Sequence, residues 1–238
     1  MCTKTRKQLK IITPQIITTG DYYNKQKNTH NLTIQTNKMQ WGENVIIADA
    51  EYIDSVAFNL IVNFERMIGR HIPPADMAQW VECIALDGGV RHEDAKGKET
   101  NVVLVHDKNN NELNNYNPAS YEQEYNGQAF KGELGEFSFT TVASDEKSEL
   151  MTKGDILRDI LAAMADEPQV KRVMVVPNLE NADTLNMLMP VLNHLDRACQ
   201  EKRITLFAMQ PLTDVPCRTE ILGYSLMAAL GIRADEIK

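Results

Sequence analysis

The sequence predicts an α/β protein, a Rossmann-like three-layer domain built on a doubly wound, mostly parallel, five-stranded sheet. Three observations carry that expectation. Short runs such as Asn44-Val-Ile-Ile-Ala-Asp49 and Asn101-Val-Val-Leu-Val-His106 are continuously apolar, as strands covered on both faces are. Between the runs lie amphipathic stretches whose apolar residues recur at i, i+3, i+4 and i+7, the spacing of one helix face. Strands and helices alternate along the chain, and that order is the signature of parallel strands joined by crossover helices.

Composition sets the outer bounds. The chain has 238 residues, 43% of them apolar and 24% charged, enough for one well-buried core. A net charge of -8 argues against a broad, sequence-independent grip on nucleic acid, which clustered Lys and Arg would have to supply. Cys2, Cys83, Cys199 and Cys217 form no C-x-x-C pair, and the first thirty or so residues hold no signal-peptide core, so a reducing cytoplasm is the expected compartment. No stretch is long and apolar enough to span a bilayer, and no membrane partner is expected.

Residues 1–38 read as a separate basic leader. Lys4, Arg6, Lys7, Lys10, Lys25, Lys27 and Lys38 face a lone Asp21, and Ile11-Ile12 and Ile16-Ile17 are its main apolar pieces. So little apolar surface does not offset the entropy of ordering the segment, which is therefore expected to be disordered. Met39 stands just before the first convincing strand, so the leader also reads as an upstream extension of translation.

Residues 39–238 form the expected single α/β domain. The first strand ends at Asp49, and the helix after it places Ile53, Val56, Ala57, Leu60, Ile61, Phe64, Met67 and Ile68 on one face, with Gly69 as its stop. Pro73-Pro74 break the chain, and Met77, Val81, Ile84 and Ala85 mark a second helix that ends at Asp87-Gly88-Gly89. Strand two runs to His106 and Asp107. Residues 108–135 then hold Asn109, Asn110, Asn111, Asn114, Asn115 and Asn117 beside Tyr116, Tyr121 and Tyr125, and the polar composition predicts a long mobile loop from Asn109 to Tyr125. Strand three, Glu136 to Ala143, alternates in the way of an edge strand.

Thr152-Lys153-Gly154-Asp155 opens a helix with Ile156, Leu157, Ile160, Leu161 and Met164 inward. Lys171 to Pro177 is strand four, followed by a helix with Leu185, Leu188, Met189, Leu192 and Leu195 inward and a kink or interruption at Pro190. Arg203 to Met209 is strand five, and Glu220 to Leu230 is the last helix.

The chemistry in this pattern is acidic. Asp49, Glu51 and Asp54, then Asp107, then Glu180 and Asp183 all fall at the carboxyl ends of strands, the edge where open α/β sheets bind ligands. Carboxylates gathered there repel one another unless an ion or a basic neighbour offsets them. Mg²⁺ or Mn²⁺ suits oxygen ligands and activates water for phosphodiester hydrolysis. Asp and Glu are equally favoured as helix caps and in first turns, whatever the function. The sequence holds no Gly-rich phosphate loop, no G-x-S-x-G and no H-E-x-x-H, and its five histidines show no ligand spacing.

The order strand, acid, two helices, then Lys153-Gly154-Asp155 with Asp159 one turn on, then an apolar strand into Asn178-Leu179-Glu180, resembles the PIN-like nuclease fold, its NYN branch in particular. The resemblance covers roughly residues 44–210 in layout. It implies that Asp49 matches the first family acid, Asp155 or Asp159 the second, and Asn178 with Glu180 the last pair. A metal set of Asp49, Asp155, Glu180 and Asp183 follows, with Asp49, Asp155 and Glu180 as candidate catalytic residues. Pro177-Asn178 stands where that family has Gly-Asp, and losing a negative charge there weakens a metal site. The expected function is therefore a non-catalytic relative acting through an RNA or protein partner, with a divalent-metal-dependent ribonuclease as the alternative. Ile53 to Gly89 also looks like an uncharacterised Bacteroides-type family, which implies no function.

Overall fold

The computed structural model describes residues 10–11, 41–95, 97–145, 147, 151–198 and 202–237. Of the leader, only β1 (Lys10–Ile11) is among them, and it pairs antiparallel with Gln128 and Ala129; the expectation for the rest lies outside the described residues. From there the chain runs β2 (Asn44–Asp49), α1 (Ala50–Ile68), β3 (Ala75–Asp76), α2 (Met77–Asp87), α3 (His92–Ala95), β4 (Glu99–Asp107) and β5 (Tyr116–Asn117). After a π-helical turn at Tyr121–Tyr125 come β6 (Gln128–Gly132), β7 (Gly135–Ser144), α4 (Lys153–Ala165), β8 (Arg172–Val176) and α5 (Ala182–Ala198). The chain closes with β9 (Arg203–Ala208), β10 (Arg218–Ile221), α6 (Leu222–Ala229) and a 3-10 turn at Ala234–Glu236.

The sheet has eight strands in the order β1-β6-β7-β4-β2-β8-β9-β10, not five. All five anticipated strands are present and mutually parallel. The additions are the antiparallel β6 and β1 on one side and the parallel β10 on the other. β6 covers β7, so β7 is not an edge; its alternation instead turns Phe137 and Phe139 into the core while Ser138 and Thr140 stay half-buried. β10 takes Glu220 and Ile221 from the anticipated last helix, which starts at Leu222.

Alternation along the strands sorts the core into two layers. Ile46, Ala48, Val102, Leu104, Met174 and Val176 pack under α1, α2 and α6. Val45, Ile47, Val103, Val105, Val173 and Val175 face α4 and α5. Both faces of the central strands are thus dry, which explains their unbroken apolar runs. Each fully buried side chain of this size contributes about 1.5 to 3 kcal/mol.

Helix α1 departs from its expected face. Ile53, Val56 and Ala57 are buried, but Leu60, Ile61, Phe64 and Ile68 are only half-covered, and Met67 is 59% exposed. Only its first two turns lie deep against the sheet. It stops as expected, with Gly69 at φ 68° and its N–H on the Glu65 carbonyl. Gly42 has a different reason to be glycine: its N–H donates to Asn101 Oδ1 at 2.6 Å, and a Cβ would stand 2.3 Å from the Glu99 carbonyl oxygen. Pro190 lies inside α5, which continues past it to Ala198.

The Asn/Tyr-rich segment is the largest correction. Instead of a loop without regular structure, it is a folded cap. Leu113, Tyr116, Tyr121 and Tyr125 are buried in the core, and β5 pairs with β3 through Ala75 and Tyr116. The Tyr125 hydroxyl donates to the Pro118 carbonyl, and Tyr121 stacks on His106 with centroids 4.2 Å apart. A polar composition misled because its aromatic residues turn inward while Asn110 and Asn115 bond to Glu51 and Asp54 below them.

Candidate functional site

Counting only parallel strands in chain order, the sheet reads 3-2-1-4-5-6, with the reversal between β2 and β8. In doubly wound sheets the crevice outside the strand ends at that reversal is the ligand site. Here β2 ends in Asp49, a buried carboxylate that also caps α1 by accepting the Tyr52 N–H at 3.0 Å. The capping role weighed from the sequence is therefore real for this residue.

Asp49 is not alone. The Lys153 ammonium, from the first turn of α4, donates to Asp49 Oδ1 at 3.0 Å and to Glu51 Oε2 at 2.8 Å. The other oxygen of Glu51 accepts the Asp107 N–H at 3.0 Å and the Asn110 side-chain amide at 3.1 Å. Asp54, one turn on, accepts both the N–H and the side-chain amide of Asn115, at 2.7 and 3.0 Å. Three elements distant in sequence are thereby tied at one point: the start of α1, the start of α4 and the cap after β4.

Two carboxylates share one ammonium. Burial, the largest influence, pushes the Asp49 carboxyl above its ordinary range against the pull of Lys153 and the Tyr52 N–H. Burial pulls Lys153 down, but the attraction of Asp49 and Glu51 outweighs it and holds the ammonium above its ordinary value. Burial, then Glu180 and Asp49, push the Tyr52 phenol up to about 12.

The remaining expected ligands lie apart from this trio. Asp155 forms a capping box with Thr152, whose hydroxyl lies 2.7 Å from Asp155 Oδ2, and its other oxygen takes Arg158 at 2.9 Å. Asp159 also binds Arg158, at 2.8 Å. Glu180 is exposed, its N–H donating to Asn178 Oδ1 at 3.1 Å, and Asp183 is exposed in the first turn of α5. Asn178 thus holds a turn. Among the described residues no three His, Cys, Asp or Glu side chains, those of Asp49, Asp155, Glu180 and Asp183 included, gather as ligands for one ion. The reason is local: α4 turns Lys153 inward and Asp155 outward, and the ammonium takes the seat between the acids.

The arrangement also disfavours a phosphate-binding turn after β2. The α1 amino end, which would receive an anion, is occupied by its own carboxylate. Sequence reasoning placed Asp49 and Glu51 correctly but missed Lys153 as their counter-ion and Asn110, Asn115 and Tyr121 as the cap above them. The Lys-Gly-x-Asp segment was the available signal, read for its acid and not for its base.

Residues 38–237 match the family of unknown function DUF6621. The chain belongs to that family. Comparison of this DUF6621 chain with curated proteins and with solved structures finds no match. In the described part of this DUF6621 domain no helix is long and apolar enough to cross a membrane.

Proposed function

We propose that the domain is a binding module and not a hydrolase, a non-catalytic PIN/NYN-like relative that acts through a protein or RNA partner. The observation that carries this reading is the Lys153 ammonium bonded to both Asp49 and Glu51, where a hydrolase would need open carboxylate oxygens. The doubly wound order with Asp49 at its reversal supports the PIN/NYN-like part. A protein partner is favoured over RNA, because the chain carries -8 and exposes Phe58 and Met67 on α1 and Tyr224 on α6.

One observation favours the ribonuclease alternative: oxygens of Asp49 and Glu51 do converge, though on an ammonium. Thermal shift with Mn²⁺ separates the two readings. A binding module gains no stability from Mn²⁺ in the parent chain, while Lys153→Met, which vacates the seat, gains some. Single-stranded RNA incubated with the parent and Mn²⁺ stays intact. Turnover that disappears in Asp49→Asn would overturn the reading.

A further inference from the structure

The opposite edge of the sheet holds a feature that the acidic site does not use. A cavity of about 570 Å³ opens where β9 and β10 begin, lined by Gly88, Gly89, Lys202 to Thr205, and Val215 to Arg218. The sequence explains the gap. Pro216, which has no N–H to give a ladder, delays β10, whose pairing starts at Arg218 opposite Thr205, so Arg203 and Ile204 have no β10 neighbour.

The charges on this lining have one sign. Lys202, Arg203 and Arg218 line it and no Asp or Glu does, while Glu220 and Asp87 lie beside Arg218, in a chain whose net charge is -8. Lys202 is fixed by donating to the carbonyls of Met164, Ala165 and Glu167, so its charge is held in place. Glu220 takes Nε and Nη2 of Arg218, and Nη1 lies toward Gly89, where a Cβ would stand 3.9 Å from it. Arg203 makes no ion pair among the described residues and is exposed. Ile204, Val215 and Pro216 supply an apolar wall. A concave site of several hundred Å³ with an apolar wall and a few convergent polar groups has the form of a small-molecule site. Cations of one sign in a cleft focus the field on an anion.

We propose that this cavity binds a small phosphate monoester, the phosphate between the Arg203 and Arg218 guanidinium groups and the organic body against Ile204, Val215 and Pro216. The Arg203 guanidinium can pair with phosphate oxygens through parallel N–H donors, Arg218, whose Nε and Nη2 are on Glu220, adds Nη1, and two cations suit a dianion better than a monocarboxylate. The inference is independent of the acidic site at the other edge.

Calorimetric titration of the full chain with ribose 5-phosphate, inorganic phosphate and ribose tests it. The ester binds, inorganic phosphate binds more weakly, ribose does not bind, and added salt weakens the ester. Arg203→Gln lowers the ester's affinity about tenfold or more, the equivalent of one charge-assisted hydrogen bond. Arg218→Gln lowers it as well, and Arg66→Gln on α1 leaves it unchanged. An unchanged melting temperature in Arg203→Gln shows that the loss is local, and if that variant is unstable, Arg218→Gln alone decides. No binding of the ester, equal binding of ribose or of inorganic phosphate, or an affinity that both Arg203→Gln and Arg218→Gln leave intact would each overturn the proposal.

Discussion

Two ion clusters sit within two helical turns of each other at the start of α4, and they do different work. Lys153 reaches inward to Asp49 and Glu51, with side chains 18%, 5% and 26% exposed. Arg158 reaches along the surface to Asp155 and Asp159, with exposures of 37%, 31% and 33%. The first cluster joins three distant elements, while the second links residues of a single helix. Breaking a buried pair leaves an uncompensated charge away from water, whereas exposed pairs gain little. Position and not charge type therefore decides which cluster the fold depends on.

The strongest way to break this comparison is Lys153→Met, which keeps an apolar stem and deletes the charge. Asp49 and Glu51 would then face each other unneutralised, and the expected loss is about 3 kcal/mol or more. For a domain of this size that lowers the melting temperature by roughly 6 to 12 °C. A fall of only a degree or two in thermal denaturation would show that the trio is no stronger than the surface cluster.

Next in size is the response to alkali. The Tyr52 phenol stands at about 12 in the folded chain against an ordinary 10.0. Between those values the folded state holds a proton that the unfolded chain has lost, so stability falls as pH rises. Lys153 and the buried Tyr116, Tyr121 and Tyr125 are all raised and act with the same sign. Tyr52 alone is expected to remove about 2 kcal/mol across that window. Denaturant melts at stepped pH, with tyrosinate absorbance followed in parallel, check it. Stability that held constant above pH 10 would mean that these hydroxyls are wetter than the packing implies.

The sequence made the layers legible because buried parallel strands have a strong signature: Val102 to Val105 and Val173 to Val176 allow no other partner than a covered sheet. Asp49 was legible too, since an acid between an apolar run and an amphipathic helix must lie at the strand's carboxyl edge. Lys153 was not, because its partners are 104 and 102 residues away and only the crossover brings them together. The cap was misjudged for a related reason. Asparagine is a loop residue by local propensity, but Asn110 and Asn115 bond to acids from α1, a long-range compensation that composition does not reveal.

That compensation gives the third prediction. Asn115→Ala removes the side-chain donor on Asp54, and one hydrogen bond to a charged acceptor is worth about 1.5 kcal/mol or somewhat more. The loss should be local as well as global, so amide exchange should quicken over 108–127 more than in β2 or β4. In the parent chain, limited proteolysis should leave 108–127 intact under conditions that cut exposed turns. Early cleavage at Asn109 to Tyr125 would restore the mobile-loop reading.

The smallest effect belongs to the surface cluster. Arg158→Gln keeps a polar side chain but removes its charge, and Asp155 keeps the Thr152 contacts that make the capping box. Arg158 binds two carboxylates on its own helix and joins no second element. The expected change is therefore about 0.5 kcal/mol or less, within reach of a careful denaturant titration. Thr152→Ala, by contrast, deletes the cap itself and should cost about 1 kcal/mol through the loss of a bond to the Asp155 N–H. If Arg158→Gln cost as much as Thr152→Ala, the surface ions would be holding the amino end of α4 in place. The inward aim of Lys153 would then depend on them, and the separation between the two clusters would fail.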